Sequence, residues 1–540
     1  MEVWLYLDSR GITQSQWEAV WNECHEILQR FPVPLASPFY EKKWGHECKI
    51  YKSQLIRSEE DQEYLCIQGD MASLAFGGRF VLHRNISHYQ ASTEDKDILR
   101  VDEKDIDNFS SEYRIWENGT GGAPYSFAVL ALGILLENRF PDNCYMYGFE
   151  YSDTHIENIC AWLSGALKAN MVPPLCNDTA RLWERLLPLY PNIDLAVRRF
   201  CKLVKTSAKK CFEFLIEQGC SAALENELVR KMSSFASVSQ WGVIDLLYPY
   251  LEATQDVEQV AFLVKRVHEQ NNKEGFSLEE LLKGLVSKGI TTNPIQAETV
   301  KEWNEPGDGL VTNMEGFHRL FLRMGGLPGR IDYYISPDNL LEIFACTEPA
   351  NGLKFKEIIE SGTQECLDSY KKLEDTTDKL MGKMADIENL EQANTPEETM
   401  SCWIKRQYLP YEDYILHEVE SQVQTFPNPG ESSLRIAKKL GKMMKDYDKE
   451  SEKENEENIF RPDSREKILK NLSFFVEDSG FGLRETAWNA IDNESDTDIL
   501  IMLSVYAGVH IQEHTTWEFR KYIFETPTLW KSMRDAFLEN

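Results

Sequence analysis

Two histidines at positions 510 and 514 have the spacing of zinc ligands. The residues run His510-Ile511-Gln512-Glu513-His514. On a helix, positions i and i+4 lie on the same face, so both imidazoles could bind zinc while Glu513 orients a water molecule. A catalytic zinc site also needs a third protein ligand.

This H-x-x-E-H pattern resembles the signature of the inverzincin metalloproteases. The resemblance implies a third ligand from a glutamate well downstream, and 26 residues follow, with the candidate acids Glu518, Glu525 and Glu539. The flanking glycine and threonines are poor helix formers. We therefore predict no metal site and no cofactor, and we expect His510 and His514 on a polar helix end or loop.

A glycine-rich turn precedes an apolar segment that begins at residue 125. Gly119, Gly121 and Gly122 could present backbone amides to a phosphate or carboxylate at the start of that helix. No G-K-[ST] follows, and Pro124 removes one donor. Tight packing of the turn is the alternative.

Aromatic residues in weakly periodic stretches are candidates for binding a partner. The five are Trp44, Tyr113, Trp116, Tyr333 and Tyr334. Aromatic rings on loop surfaces are common interface anchors. The alternative, which stays open here, is that these side chains pack in the core.

A dispersed active site in the amino-terminal part is a second hypothesis. Its residues would be Asp70, His83, Arg84 and His88, in or near predicted strands. The chain has no G-x-S-x-G nucleophile motif. Whether the protein is an enzyme is left open by the sequence.

The composition limits the class of protein and its partners. The 540 residues include 58 basic and 88 acidic ones, a net charge of −30, which argues against a nucleic-acid binder and favours a basic partner. We find no signal peptide and no apolar run long enough to cross a bilayer, since Phe127 to Leu136 and Ile499 to Val509 are each about half of the ~20 residues required. Twelve cysteines without C-x-x-C spacing fit reduced thiols, so we expect a cytoplasmic protein.

Hydrophobic periodicity predicts a mainly α protein with an amino-terminal α+β domain at 1–175. Val3 to Leu7 and the segments 48–51, 64–67, 79–83 and 144–148 are β-prone. Thr13 and Gln16 form a predicted capping box. Helices are predicted at 125–139 and from about 153.

The rest of the chain divides into five predicted segments. They are a helical domain at 178–290, an irregular junction at 291–352, a helical hairpin region at 353–450, an acidic linker at 451–462 and a carboxyl-terminal helical domain at 463–540. Heptad spacing at 366–387 favours a hairpin or a short coiled coil. The helical domain shows no fixed repeat period, so a solenoid stays open. Asp496 is expected to cap a helix within an acidic turn.

From these features we expect a soluble, acidic, non-catalytic protein that binds another protein. In a bacterial conflict or secretion system it would be an immunity protein that neutralises a basic toxin, or an adaptor. The alternatives are the enzyme described above and a helical scaffold subunit that uses the 366–387 heptads. The sequence indicates neither the partner nor the oligomeric state.

Overall fold

The chain divides into two compact units. The computed structural model describes residues 2–31, 34–59, 62–71, 76–93, 97–108, 113–119, 125–148, 153–271, 273–292, 331, 333–365, 405–406, 424–425, 431–454, 461–509 and 520–539. The first unit comprises Met1–Ile98, Ser110–Pro174 and Leu390–Asn540, and the second comprises Leu99–Phe109 and Leu175–Asn389. The protein is mainly α, with strands in its amino-terminal part, as predicted. The predicted coiled-coil segment lies outside the described residues.

The first helix confirms the predicted capping box. Strand β1 (Glu2–Leu7) precedes α1 (Gln14–Gln29). The Thr13 hydroxyl accepts from the amide of Gln16, and the Gln16 side chain accepts from the Thr13 amide at 2.9 Å. The indole N–H groups of Trp17 and Trp21 donate to the carbonyls of residues 83 and 82, which ties α1 to the sheet.

Two larger sheets are described in the first unit. Their further strands are β2 (Leu35–Lys43), β3 (His46–Lys52), β4 (Ile56–Glu59), β5 (Gln62–Asp70), β6 (Phe76–His83), β7 (Arg114–Gly119), β8 (Cys144–Tyr147) and β11 (Leu483–Arg484). One sheet has the order β7-β1-β8, and the other has the order β11-β3-β2-β5-β4 with β6 on β5. All pairs are antiparallel except β11 with β3. Lys405–Arg406 (β9) and Gln424–Thr425 (β10) form a separate antiparallel pair.

Two further helices of the first unit come after β7 and β8 in the sequence. They are α2 (Ser126–Arg139) and α3 (Asp153–Leu167). From Ser126 to Glu137 every residue of α2 is buried, as its continuous apolar sequence predicts. In the described part of the chain, we find no helix with the length and hydropathy that a bilayer crossing requires.

The second unit is built from stacked helices. They are α4 (Thr179–Leu186), α5 (Ile193–Leu203), α6 (Ala208–Glu217), α7 (Ser221–Met232), α8 (Trp241–Thr254), α9 (Val257–Asn271), α10 (Leu278–Gly284) and α11 (Pro337–Thr347). One layer runs α5-α7-α9-α11, and α6 packs on α8 in the other. A π-helical turn, Leu285–Gly289, continues α10. Helices that pack on their second neighbours are typical of solenoid repeats.

The helical repeat has no fixed period, which is why the sequence did not reveal it. Helices α4, α6, α8 and α10 begin 29, 33 and 37 residues apart. Each repeat is thus longer than the last by about one helical turn. Within the predicted helical domain, the segment 193–217 is two helices, because Val204 is extended and the Ser207 hydroxyl caps α6. In the predicted irregular junction, an isolated parallel bridge joins Thr291 and Tyr334.

A segment from earlier in the chain, Leu99–Phe109, belongs to the second unit. The buried guanidinium of Arg199 donates to the carbonyls of Leu99, Ile106 and Asn108 at 3.1, 3.0 and 2.8 Å. The Tyr190 hydroxyl accepts a further hydrogen bond from the amide of residue 101. Among the described residues, side chains rather than a helix or strand bind these carbonyls: Arg199 reaches all three, and the Tyr190 hydroxyl also donates to that of Leu99 at 3.2 Å.

The carboxyl-terminal helices belong to the first unit. They are α12 (Glu431–Glu454), α13 (Arg465–Ser479), α14 (Glu485–Asn493), α15 (Thr497–Gly508) and α16 (Trp530–Leu538). Their hydrophobic core includes Cys48 and Ile50 of β3. The predicted cap is confirmed, since Asp496 accepts from the amides of residues 498 and 499.

We predict that Arg199→Ala loosens the 99–108 segment and costs about 2–4 kcal/mol, because three carbonyls each lose the hydrogen bond that Arg199 donates. Trypsin should cleave after the exposed Lys104 faster in this variant than in the wild type. Arg198→Ala is the matched control. Arg198 pairs with the partly exposed Asp107, so its loss should cost about 0–1 kcal/mol. Equal cleavage rates in the two variants would show that Arg199 does not hold the segment.

Candidate functional site

A groove in the second unit lies between α8 and α10. Its cavity volume is about 260 Å³, and we call it the α8–α10 groove. The apolar lining residues are Val238, Trp241, Ile244, Leu247, Tyr248 and Leu281, and the others are Ser239, Glu280, Lys283, Gly284 and Ser287. The groove is therefore mainly an apolar surface with a polar rim.

One wall of the groove is the loop that leads into α8. The ammonium of Lys273 donates to the carbonyls of Ser233 and Phe235, the second at 2.6 Å. The Gln240 side chain accepts from the amide of Ala236 at 2.7 Å. The amide of Val238 donates to a carbonyl before α10 at 3.0 Å. These bonds fix the loop, so the wall is preformed.

The floor depends on two glycines beside one tyrosine. The Tyr248 hydroxyl donates to the Gly284 carbonyl at 3.1 Å. A Cβ at Gly289 would lie 2.7 Å from the Tyr248 ring, whereas a Cβ at Gly284 would meet only that hydroxyl, at 4.0 Å. The π-helical turn between them brings Gly289 under the ring, and such turns are frequent at functional sites.

The most exposed lining aromatic is Trp241, the first residue of α8. Its side chain is 60% exposed, whereas Leu247 and Tyr248 below it are buried. A large aromatic side chain beside an apolar groove is the kind of residue that dominates binding energy in protein interfaces.

The charges at the rim are already paired. Lys283 lies 2.9 Å from Glu279 and 3.1 Å from Glu280, and Lys354 also pairs with Glu279. Hydrogen bonds from the two lysines lower the pKa of Glu279. Over residues 175–292 the chain has 15 basic and 15 acidic residues. The site is thus locally neutral and favours apolar contacts.

Trp241 and Gly284 are not among the site residues predicted from the sequence. The buried stripe of α8 runs through Val243, Leu247 and Leu251 at intervals of four. Trp241 is two residues before that stripe, about 200° around the helix, so its position on the exposed face could have been read from the sequence. Nothing local indicates that Gly284 borders a cavity.

The five predicted aromatic residues are not brought together. Trp44, Tyr113 and Trp116 lie in the first unit, and Tyr333 and Tyr334 lie in the second. Trp116 is buried in β7 and donates to the Val81 carbonyl at 2.7 Å, and Tyr333 is also buried. For these two, the expectation of a loop surface is wrong and core packing is the supported alternative. Strand pairing removes Trp116 from the surface.

Trp44 and Tyr113 are partly buried, and Tyr334 is 46% exposed. The Trp44 ring lies 6.0 Å from the Trp488 ring, at the edge of the carboxyl-terminal core. The role of these three in binding stays a prediction.

The predicted ion sites lie mostly outside the described residues. Gly119 ends β7 opposite Glu2, whereas Gly121 and Gly122 are not described. His510 and His514 are not described either. Within the described ranges, we find no group of three His, Cys, Asp or Glu side chains placed to hold a metal ion.

Two of the four residues in the enzyme hypothesis, His83 and His88, are in contact. The His83 and His88 rings stack with centroids 3.4 Å apart, and the Tyr64 and Tyr89 rings lie 5.4 and 6.1 Å from His83. Arg84 forms ion pairs with Glu18 and Glu63, and Asp70 is fully buried. The arrangement is a stacked histidine pair.

Comparison of the chain with protein families, with curated proteins and with solved structures finds no match.

We predict opposite effects for two glycine substitutions beside Tyr248. Gly284→Ala should stabilise the protein by about 0.5–1 kcal/mol, since the helix gains a better former and the added carbon meets open space. Gly289→Ala should destabilise it by about 1–3 kcal/mol, because the added carbon overlaps the ring. Thermal and urea unfolding measure both. Changes of the same sign would contradict this packing.

We also predict acid sensitivity from His83. The pKa of His83 is lowered from 6.5 to about 4. Burial is the largest cause, His88 and Arg79 act in the same direction, and Glu59 opposes the shift. Between these pH values the unfolded chain binds a proton that the folded protein does not, so His83's contribution is full above pH 6.5 and is lost as the pH falls to about 4. His83→Gln should show a smaller decrease in Tm over that interval. An NMR titration that places the folded pKa near 6.5 would contradict this.

Proposed function

We propose that the protein binds another protein through the α8–α10 groove and catalyses no reaction there. The observation that carries this is an apolar groove with an exposed tryptophan, Trp241, at its edge. Stacked helices commonly present such surfaces to partners. An inhibitor such as an immunity protein, or an adaptor, would use the site in this way.

The dimensions favour side chains of a partner over a whole cofactor. Small-molecule sites usually measure ~300–1,000 Å³, and the groove measures about 260 Å³. Such a volume suits a few apolar side chains, for instance those on one face of a docked helix. The hydroxyl of Ser287 donates to a backbone carbonyl of its own helix, at residue 283, so it is not poised as a nucleophile.

The charge distribution supports a basic partner that carries an apolar segment. Residues 175–292 are neutral, so the net charge of −30 comes from the rest of the chain, with 43 basic and 73 acidic residues. This excess repels nucleic acid and accelerates the approach of a basic protein. Contact in the groove itself would then depend on apolar burial.

Two other functions remain weaker candidates. The stacked His83 and His88 could accept a proton, but burial lowers the pKa of His83 to about 4, which makes it a weak base at neutral pH. A scaffold role would rest on the 366–387 heptads. A concentration-independent monomer in sedimentation would count against the scaffold.

Selection of a random phage-displayed peptide library on the full chain tests the groove. We expect recovered peptides to carry large apolar residues at i and i+3 or i+4. Trp241→Ala should weaken them about 30-fold, the loss expected for a tryptophan hot spot of ~2 kcal/mol. Gly284→Met should also block binding, because its side chain would extend into the groove from a position with open space.

Phe262→Ala is the matched control. Phe262 is 49% exposed on α9 and does not line the groove. It should change the affinity less than about twofold. Peptide affinity should also vary little from low to high salt, because the rim charges are paired. Peptides that bind the wild type, Trp241→Ala and Gly284→Met equally would overturn the proposal.

A further inference from the structure

The 99–108 segment docks on the second unit in the manner of a bound peptide. Its sequence neighbours on both sides belong to the first unit. The side chains of Leu99 and Ile106 are 1% and 0% exposed, whereas residues 102–104 between them are exposed. Two apolar anchors joined by exposed residues are typical of a peptide that lies on a preformed surface.

Two side chains of the second unit bind the backbone of this segment. Arg199 donates to three of its carbonyls, over a stretch of ten residues. The Tyr190 hydroxyl accepts from the amide of Val101 at 2.8 Å and donates to the carbonyl of Leu99 at 3.2 Å. Contacts with the backbone do not depend on the identity of the side chains. Another extended segment could therefore make the same bonds.

Asp107 supplies the part of the contact that depends on a side chain. The guanidinium of Arg198 donates to both of its carboxylate oxygens, to the first at 3.0 Å. Arg230 of α7 lies 3.3 Å from the same carboxylate. Paired N–H groups on one carboxylate give specific geometry as well as energy. The surface thus favours an acidic residue directly after a buried apolar one.

The receiving surface is fixed by bonds that do not involve the segment. The buried carboxylate of Glu227 accepts from Arg230 at 2.7 and 2.8 Å, and Lys231 lies 3.6 Å from it. Residues 198–210 include six basic residues and no acidic one, whereas residues 99–108 include four acidic and two basic ones. A preformed surface of opposite charge needs little ordering when a segment binds.

We propose that the surface formed by α5, α7 and Tyr190 is a binding site for an extended acidic segment of another protein, and that the 99–108 segment occupies it in cis. The partner segment carries a large aliphatic residue followed directly by an aspartate, and it displaces the resident segment. This inference does not depend on the α8–α10 groove, because none of the residues named for this site lines the groove.

The resident segment limits access to the site. A segment that is tethered to the same chain competes with an effective concentration on the order of millimolar. A peptide added in solution should therefore bind the wild type weakly. It should bind more tightly to a chain whose own segment is weakened, because the open site is then populated more often.

Fluorescence polarisation with a labelled peptide of residues 98–109 tests the proposal on the full chain. The double variant Ile106→Ser, Asp107→Ala weakens the resident segment, and we expect it to bind the peptide at least about tenfold more tightly than the wild type does. The same peptide with Asp107→Ala should bind the double variant about fivefold more weakly. A scrambled peptide of the same composition should not bind.

Arg198→Ala in the double variant separates recognition of the peptide from folding. It should weaken the unchanged peptide about fivefold and the Asp107→Ala peptide less than about twofold, because both changes remove the same ion pair. Arg266→Ala is the matched control. Arg266 of α9 pairs with Glu225 at 3.9 Å, so its loss should alter neither affinity more than about twofold.

Circular dichroism shows whether the double variant keeps the helicity of the wild type. If it does not, the comparison uses Asp107→Ala alone, which loses only a partly exposed ion pair and should bind the peptide about threefold more tightly than the wild type. Equal affinity of the wild type and the folded variant would overturn the proposal. Binding of the scrambled peptide as tightly as the unchanged one would overturn it as well.

Discussion

Backbone carbonyls that no helix or strand pairs are held by two cations in the second unit. Arg199 binds three carbonyls of the 99–108 segment, and Lys273 binds those of Ser233 and Phe235. An unpaired polar group away from water costs as much as a lost hydrogen bond, so each irregular segment needs such a partner. One cation secures a segment from earlier in the chain, and the other secures the wall of the groove.

The groove follows from how unequal helices stack. The spacing between the starts of α4, α6, α8 and α10 increases along the chain. Because of this change, α10 does not repeat the packing of α8 on α6. Tyr248 instead packs against the π-helical turn, where Gly289 admits its ring. Gly284 leaves space beside the hydroxyl, and Trp241 stands at the edge. The α8–α10 groove is thus a departure from regular repeat packing, and such departures are expected at functional sites.

Local signals in the sequence predicted local structure well. The Thr13 capping box, the Asp496 cap and the buried helix α2 each depend on residues within a few positions, and the structure confirms them. The pairing of β11 with β3 joins residues more than 430 positions apart, which no local pattern encodes. Strands β2, β4 and β7 were missed for a similar reason, since neighbouring strands rather than their own periodicity define them.

The candidate site was less predictable than the fold. Weak periodicity does not identify exposed aromatic residues, because Trp116 has an ordinary strand position and Trp241 stands at the start of a clear helix. Net charge does not locate the site either, because −30 describes the whole chain while residues 175–292 are neutral. Several cations of that stretch bind carbonyls or carboxylates of their own unit. In the proposed function, charge would therefore act at long range through the rest of the chain, and the groove would select a partner by apolar shape.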